Sequence, residues 1–142
     1  MFRTAVPLLA VLVTVGCGSG ATGPTGSSGA LRVTKECSAY TGQAGSFCTI
    51  TSSSLPEIPV GSKVVYASAA GATALDTDVV LTPAGQTRNA AIGHCALNFA
   101  TGAGLCTFSG GRGRFAPFQA RVNVSHMSGP DWAWDGTYSF GQ

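Results

Sequence analysis

Apolar and polar positions alternate with period two over two stretches near the end of the sequence. Phe118, Ala120, Val122 and Val124 alternate with Gln119, Arg121 and Asn123; Trp132, Trp134, Gly136, Tyr138 and Phe140 alternate with Ala133, Asp135, Thr137 and Ser139. Successive side chains of a strand point to opposite faces, so each stretch predicts a strand with one face turned inward. Shorter runs predict six more strands, at 31–37, 47–53, 63–68, 75–81, 90–99 and 105–109. Turn residues at Thr41 and Gly42, Pro59 to Gly61, Pro83 to Gly85, Thr101 and Gly102, and Gly110 and Gly111 separate most of them. Eight short strands without a convincing helix predict an all-β domain, an antiparallel barrel or sandwich.

The first thirty residues follow a different pattern. Arg3 precedes an apolar run of about eleven residues that ends in Gly16 and Cys17, the order of regions in a cleaved signal peptide. The run is too short for a membrane span, which needs about twenty apolar residues. Thr14, Val15, Gly16 and Cys17 resemble the lipobox of bacterial lipoproteins, with Thr14 standing where leucine is usual. The resemblance implies that Cys17 is the acylated first residue of the mature chain. Residues 18–30 hold nothing larger than Pro or Thr and predict a flexible tether with a reach of roughly 20 Å. The expected organisation is a signal peptide at 1–16, lipidated Cys17 and tether at 17–30, and a barrel domain at 31–142.

Composition narrows the picture further. Without Arg3, the mature chain has seven basic residues against six acidic ones, a balance that steers it toward neither nucleic acid nor anionic lipid. Charged residues make up only 10% of the chain and Gly reaches 20 residues, which favours strands and tight turns. Membrane contact is expected through the lipid anchor alone, on the extracytoplasmic side.

Once Cys17 is assigned to the lipid, four cysteines remain, in two pairs of identical spacing: Cys37 with Cys48, and Cys95 with Cys106. A shift of 58 residues lays one pair on the other and also matches Thr49 with Thr107 and Ile50 with Phe108. Of the three possible pairings the local one is simplest, each disulfide pinning one hairpin, and it suits an oxidising compartment. A two-residue turn at Thr101 and Gly102 would set Cys95 opposite Phe108, so a bulge or a longer turn is required there.

The glycine-rich run from Ser109 to Ala116 lacks the Lys-Ser/Thr pair of a phosphate loop and leads into a strand, not a helix. Ser109-Gly-Gly-Arg-Gly-Arg-Phe-Ala116, followed by a strand and by Gly136-Thr-Tyr-Ser-Phe140, resembles the closing half of barrels in the allene oxide cyclase and dirigent group. The likeness covers 108–140, with Pro117 where a small residue is usual. It implies a single antiparallel barrel of about eight strands, and no catalytic position of the cyclase is matched.

Trp132, Trp134, Tyr138 and Phe118 are the candidate ligand-contacting residues: they read as barrel core or as a wall for an apolar or sugar ligand. Asp76 and Asp78 form an incomplete calcium shell, and His94 and His126 have no zinc-binding spacing, so neither a metal nor a cofactor is expected. Asp131 and Asp135, roughly 13 Å apart along a strand, are too distant for a glycosidase pair. No catalytic residue is assigned. The expected function is a non-catalytic module that binds an apolar small molecule or a partner; the alternatives are a cyclase- or isomerase-like enzyme and a structural envelope protein.

Overall fold

The computed structural model of the protein describes residues 27–141. The expected signal peptide, Cys17 and residues 18–26 of the expected tether lie outside the described residues. Eight strands, β1 (Ser28–Glu36), β2 (Phe47–Ser53), β3 (Lys63–Tyr66), β4 (Ala74–Thr82), β5 (Ala90–Asn98), β6 (Ala103–Arg112), β7 (Phe118–His126) and β8 (Asp131–Phe140), pair in chain order. Every neighbour is antiparallel, and β1 meets β8 to close the barrel. Closure gives each of the eight strands a partner on both sides.

Two boundaries differ by three residues from the sequence reading, the start of β1 and the end of β6. β1 begins at Ser28, three residues inside the expected tether, where Ser28, Gly29 and Ala30 pair with Ser139, Tyr138 and Thr137. Small side chains carry no alternation signal, yet their backbone groups pair like any others. Gly110 and Gly111 do not end a strand: both lie inside β6, at positive φ, and the chain turns one step later, in a 3-10 turn at Gly113–Phe115. Gly111 pairs with Ala91 beside a bulge, and a Cβ there would collide with the Ala90 carbonyl. The glycines therefore permit a close, irregular strand crossing.

The inward faces follow the alternation. Leu31, Val33 and Lys35 on β1, Val64 and Tyr66 on β3, Val79 and Leu81 on β4, and Val122 and Trp134 on β7 and β8 are all buried. An eight-stranded barrel has an interior about wide enough for side chains to fill. At one end Phe115, Phe118 and Phe140 pack with centroid separations of 5.0 to 5.7 Å, and Leu55 and Ile58 from the β2–β3 connection are buried with them in the core. That end is solid. Phe108 links the cluster to Trp134 near the middle of the barrel, 5.5 Å between centroids.

Both disulfides form with local pairing, Cys37 to Cys48 and Cys95 to Cys106. Cys95 stands directly opposite Cys106 because the β5–β6 connection spans four residues, 99–102, instead of two. Asn98 fixes this longer turn: its side-chain oxygen accepts from the Ala100 and Thr101 amides at 2.8 and 3.2 Å, and its carbonyl accepts from Gly102. The β1–β2 and β5–β6 hairpins are four strands apart in a ring of eight, so the two disulfides staple facing walls, both toward the end opposite the phenylalanine cluster.

Candidate functional site

Lys35 is the anomaly of the interior. It continues the inward phase of Leu31 and Val33, and a bulge between Thr34 and Lys35 leaves Thr51 of β2 as the extra residue. Bulges commonly re-aim a side chain beside a functional site. The Lys35 side chain is only 4% exposed and donates to the Tyr66 hydroxyl at 2.5 Å. Its Nζ also stands 4.8 Å from the centroid of the Trp134 ring and 5.2 Å from that of Tyr66.

No carboxylate lines the space around this amine. An ammonium taken out of water without a counter-ion is strongly disfavoured, and the group responds by giving up its proton. Burial accordingly lowers the pKa of Lys35 from 10.5 to about 7. Burial, and then the neighbouring Tyr40, push the Tyr66 phenol well above its usual range; burial also raises Tyr40. At neutral pH the pair is thus a largely neutral phenol beside an amine that is close to half free base.

Tyr40 comes from the β1–β2 connection and packs edge-on against Tyr66, 5.0 Å between centroids. Together with Lys35, Leu97, Phe99 and Trp132, and bordered by the Cys37–Cys48 disulfide, these rings enclose a cavity of about 40 Å³. A second void of about 20 Å³ lies against Lys35, Tyr66, Val124 and the Cys95–Cys106 disulfide. Both disulfides therefore shape the walls of the Lys35 chamber. Phe99 is exposed, and Tyr40, Leu97 and Trp132 are half-buried, which places the mouth of the chamber among them.

Among the described residues two buried polar atoms have no hydrogen-bond partner: the hydroxyl of Tyr40, a residue of the cavity wall, and Nε1 of Trp134, whose ring lies against the amine. Leaving such a group unsatisfied costs about 1 to 3 kcal/mol. Lysine, tyrosine and tryptophan all offer N–H or O–H donors, and no carboxylate or amide side chain supplies an acceptor. The chamber suits a ligand, or water, that brings an acceptor oxygen.

The four aromatic residues singled out in the sequence do not share one pocket. Trp132 lines the cavity and pairs across the sheet with Lys35, while Trp134 lies against the amine. His126 steadies Trp132, its ring 4.7 Å away and its Nε2 donating to the Gly129 carbonyl at 2.8 Å. Phe118 is fully buried in the phenylalanine cluster at the closed end. Tyr138 is half-buried above Gly29, next to Phe140, and borders a shallow depression with Ala120 and Arg121.

Asp76 and Asp78 sit on the outer face and grip His94: Asp78 contacts Nδ1 at 2.9 Å and Asp76 contacts Nε2. These hydrogen bonds, Asp78 first and then Asp76, raise the imidazole pKa. The clamp's stabilisation is complete below the ordinary histidine value and fades as pH rises through the raised one. Among the described residues no three His, Cys, Asp or Glu side chains are grouped to hold a metal.

Lys35, Tyr66 and Tyr40 were not singled out as site residues in the sequence. Lys35 had a readable signal, since it falls in phase with Leu31, Val33 and Cys37 on one strand face. Tyr66 shares the phase of Val64, whereas Tyr40 lies in a connection whose path no periodicity reveals.

Fold and chamber together define a closed antiparallel barrel with a buried amine toward the end opposite the phenylalanine cluster. Protein-family models, curated proteins and solved structures yield no match to the chain.

Proposed function

We propose that the chain is a lipid-anchored, extracytoplasmic barrel that binds a small, largely apolar molecule through an acceptor oxygen in the Lys35 chamber. The observation that carries this reading is the concentration of donors around a cavity near one end of the barrel, the Tyr40 hydroxyl among them unpartnered. Ligand sites are typically apolar with a few convergent polar groups. The volume limits the enclosed part of the ligand to about three water-sized positions, given roughly 10 to 15 Å³ for each. The Cys17 lipobox and the glycine-rich tether support an anchored domain standing off a bilayer, and the two disulfides suit an oxidising compartment.

A cyclase- or isomerase-type enzyme is the second reading, and the Lys35–Tyr66 pair favours it. A buried amine poised near neutrality beside a phenol is the kind of pair that moves protons in catalysis.

Native mass spectrometry of protein purified from its own host tests the binding reading. A small molecule is expected to co-purify with the wild-type chain and to be lost from Lys35→Met. A clean apo mass for the wild-type protein would count against it.

A further inference from the structure

We propose that Lys35 is a covalent capture site for small carbonyl compounds, its Nζ forming a reversible imine with a short-chain aldehyde or ketone in the chamber. This rests on the reading of the chamber as a ligand site and names the chemistry of the ligand.

Four observations converge on it. The amine is enclosed by apolar and aromatic walls, and the titratable groups that face it are Tyr66 from β3 and Tyr40 from the β1–β2 connection, with no carboxylate among them. Such walls favour the free base, which is the nucleophile in Schiff-base formation. The Tyr66 hydroxyl is in contact with Nζ and can pass a proton to and from the reacting centre. The adjoining cavity of about 40 Å³ has room for a carbonyl compound of about three heavy atoms. The Tyr40 residue lines that cavity, and its buried, unpartnered hydroxyl is a donor for a carbonyl oxygen.

The step balances without an oxidant or reductant. The Nζ lone pair bonds to the carbonyl carbon, and the carbonyl π pair moves to oxygen, which takes the Tyr66 proton. The nitrogen returns one proton to the phenolate, giving a carbinolamine. Tyr66 then gives its proton to the hydroxyl, which leaves as water as the nitrogen lone pair forms the C=N bond, and the second nitrogen proton passes to the Tyr66 phenolate. One aldehyde and one amine give one imine and one water, with Tyr66 restored.

The sequence makes the test clean, because Lys35 and Lys63 are its only lysines and Lys63 is exposed. The full chain is treated at pH 7 with acetaldehyde and cyanoborohydride, which reduces an imine to a stable ethyl amine, and the product is located by peptide mapping. Lys35 is expected to be ethylated at least tenfold faster than Lys63. Tyr66→Phe is expected to slow ethylation of Lys35 at least threefold while leaving Lys63 unchanged, and Lys35→Met to abolish the fast phase. Equal or slower labelling of Lys35 would overturn the proposal. If labelling fails but acetate, which cannot form an imine, raises the melting temperature of wild type and not of Lys35→Met, the imine is wrong and the binding reading stands. If all these probes fail, both fall.

Discussion

Replacing Lys35 by methionine is expected to make the protein more stable at pH 7, by about 2 to 4 kcal/mol. The amine's pKa falls from 10.5 in the unfolded chain to about 7 in the fold. At about 1.4 kcal/mol per unit, that difference is a penalty of about 5 kcal/mol on the folded state at neutral pH. Methionine fills similar space without a charge, and apolar replacement of buried ionisable groups is often stabilising. Part of the gain is offset because Tyr66 loses its partner, at about 1 to 3 kcal/mol. The pH dependence follows from the sign of the shift. Between pH 7 and 10.5 the unfolded chain holds a proton that the folded chain has released, so wild-type stability climbs with pH across that window. The advantage of Lys35→Met is therefore largest at and below pH 7 and shrinks toward pH 10. The His94 clamp is common to both proteins and cancels in the comparison, and the raised Tyr66 begins to lower stability only once unfolded tyrosine ionises near pH 10. Urea denaturation of both proteins from pH 6 to 9.5 measures the effect. A less stable variant at pH 7, or a difference that does not change with pH, would contradict this account of Lys35.

Breaking both disulfides is expected to cost about 5 kcal/mol, comparable with the whole stability of a marginal domain. Each closes a loop between cysteines 11 residues apart, worth about 2 to 3 kcal/mol through restriction of the unfolded chain. They lie on facing walls, so the two losses should add approximately. Cys95 and Cys106 are both buried, whereas Cys37 is half-exposed, so replacing the second pair by alanine should cost more than replacing the first, because it also leaves a void in the core. Melting curves with and without reductant, with thiol release confirmed, check this; an unchanged melting temperature after full reduction would remove the disulfides from the account of stability.

Much of the fold was legible because a barrel strand imposes a strict two-residue rhythm. Phe118 to Val124 and Trp132 to Phe140 declare their faces directly, and the common spacing of the cysteine pairs anticipates two equivalent hairpins. Less legible was what happens where side chains are small. Gly110 and Gly111 look like a turn, yet φ values of +84° and +154° let them continue β6 through a bulge. The site was hidden for a different reason. Periodicity places Lys35 inside but does not say whether a carboxylate waits there to pair with it, and only the assembled walls show that phenols, an indole and two disulfides meet the amine instead. Trp132 and Trp134 reached this chamber, while Phe118, on the same kind of alternating strand, was carried to the opposite end by strand direction alone.

Both proposals for the chamber depend on Lys35 being an enclosed amine poised near neutrality. That condition is tested most directly by following the Lys35 side-chain resonances by NMR as pH is raised from 5 to 11. With only two lysines in the chain, Lys35→Met assigns the signal unambiguously. A midpoint near 7 is expected for Lys35; a midpoint near the ordinary lysine value of about 10.4 would show a solvated or paired ammonium and rule out the enclosed free amine.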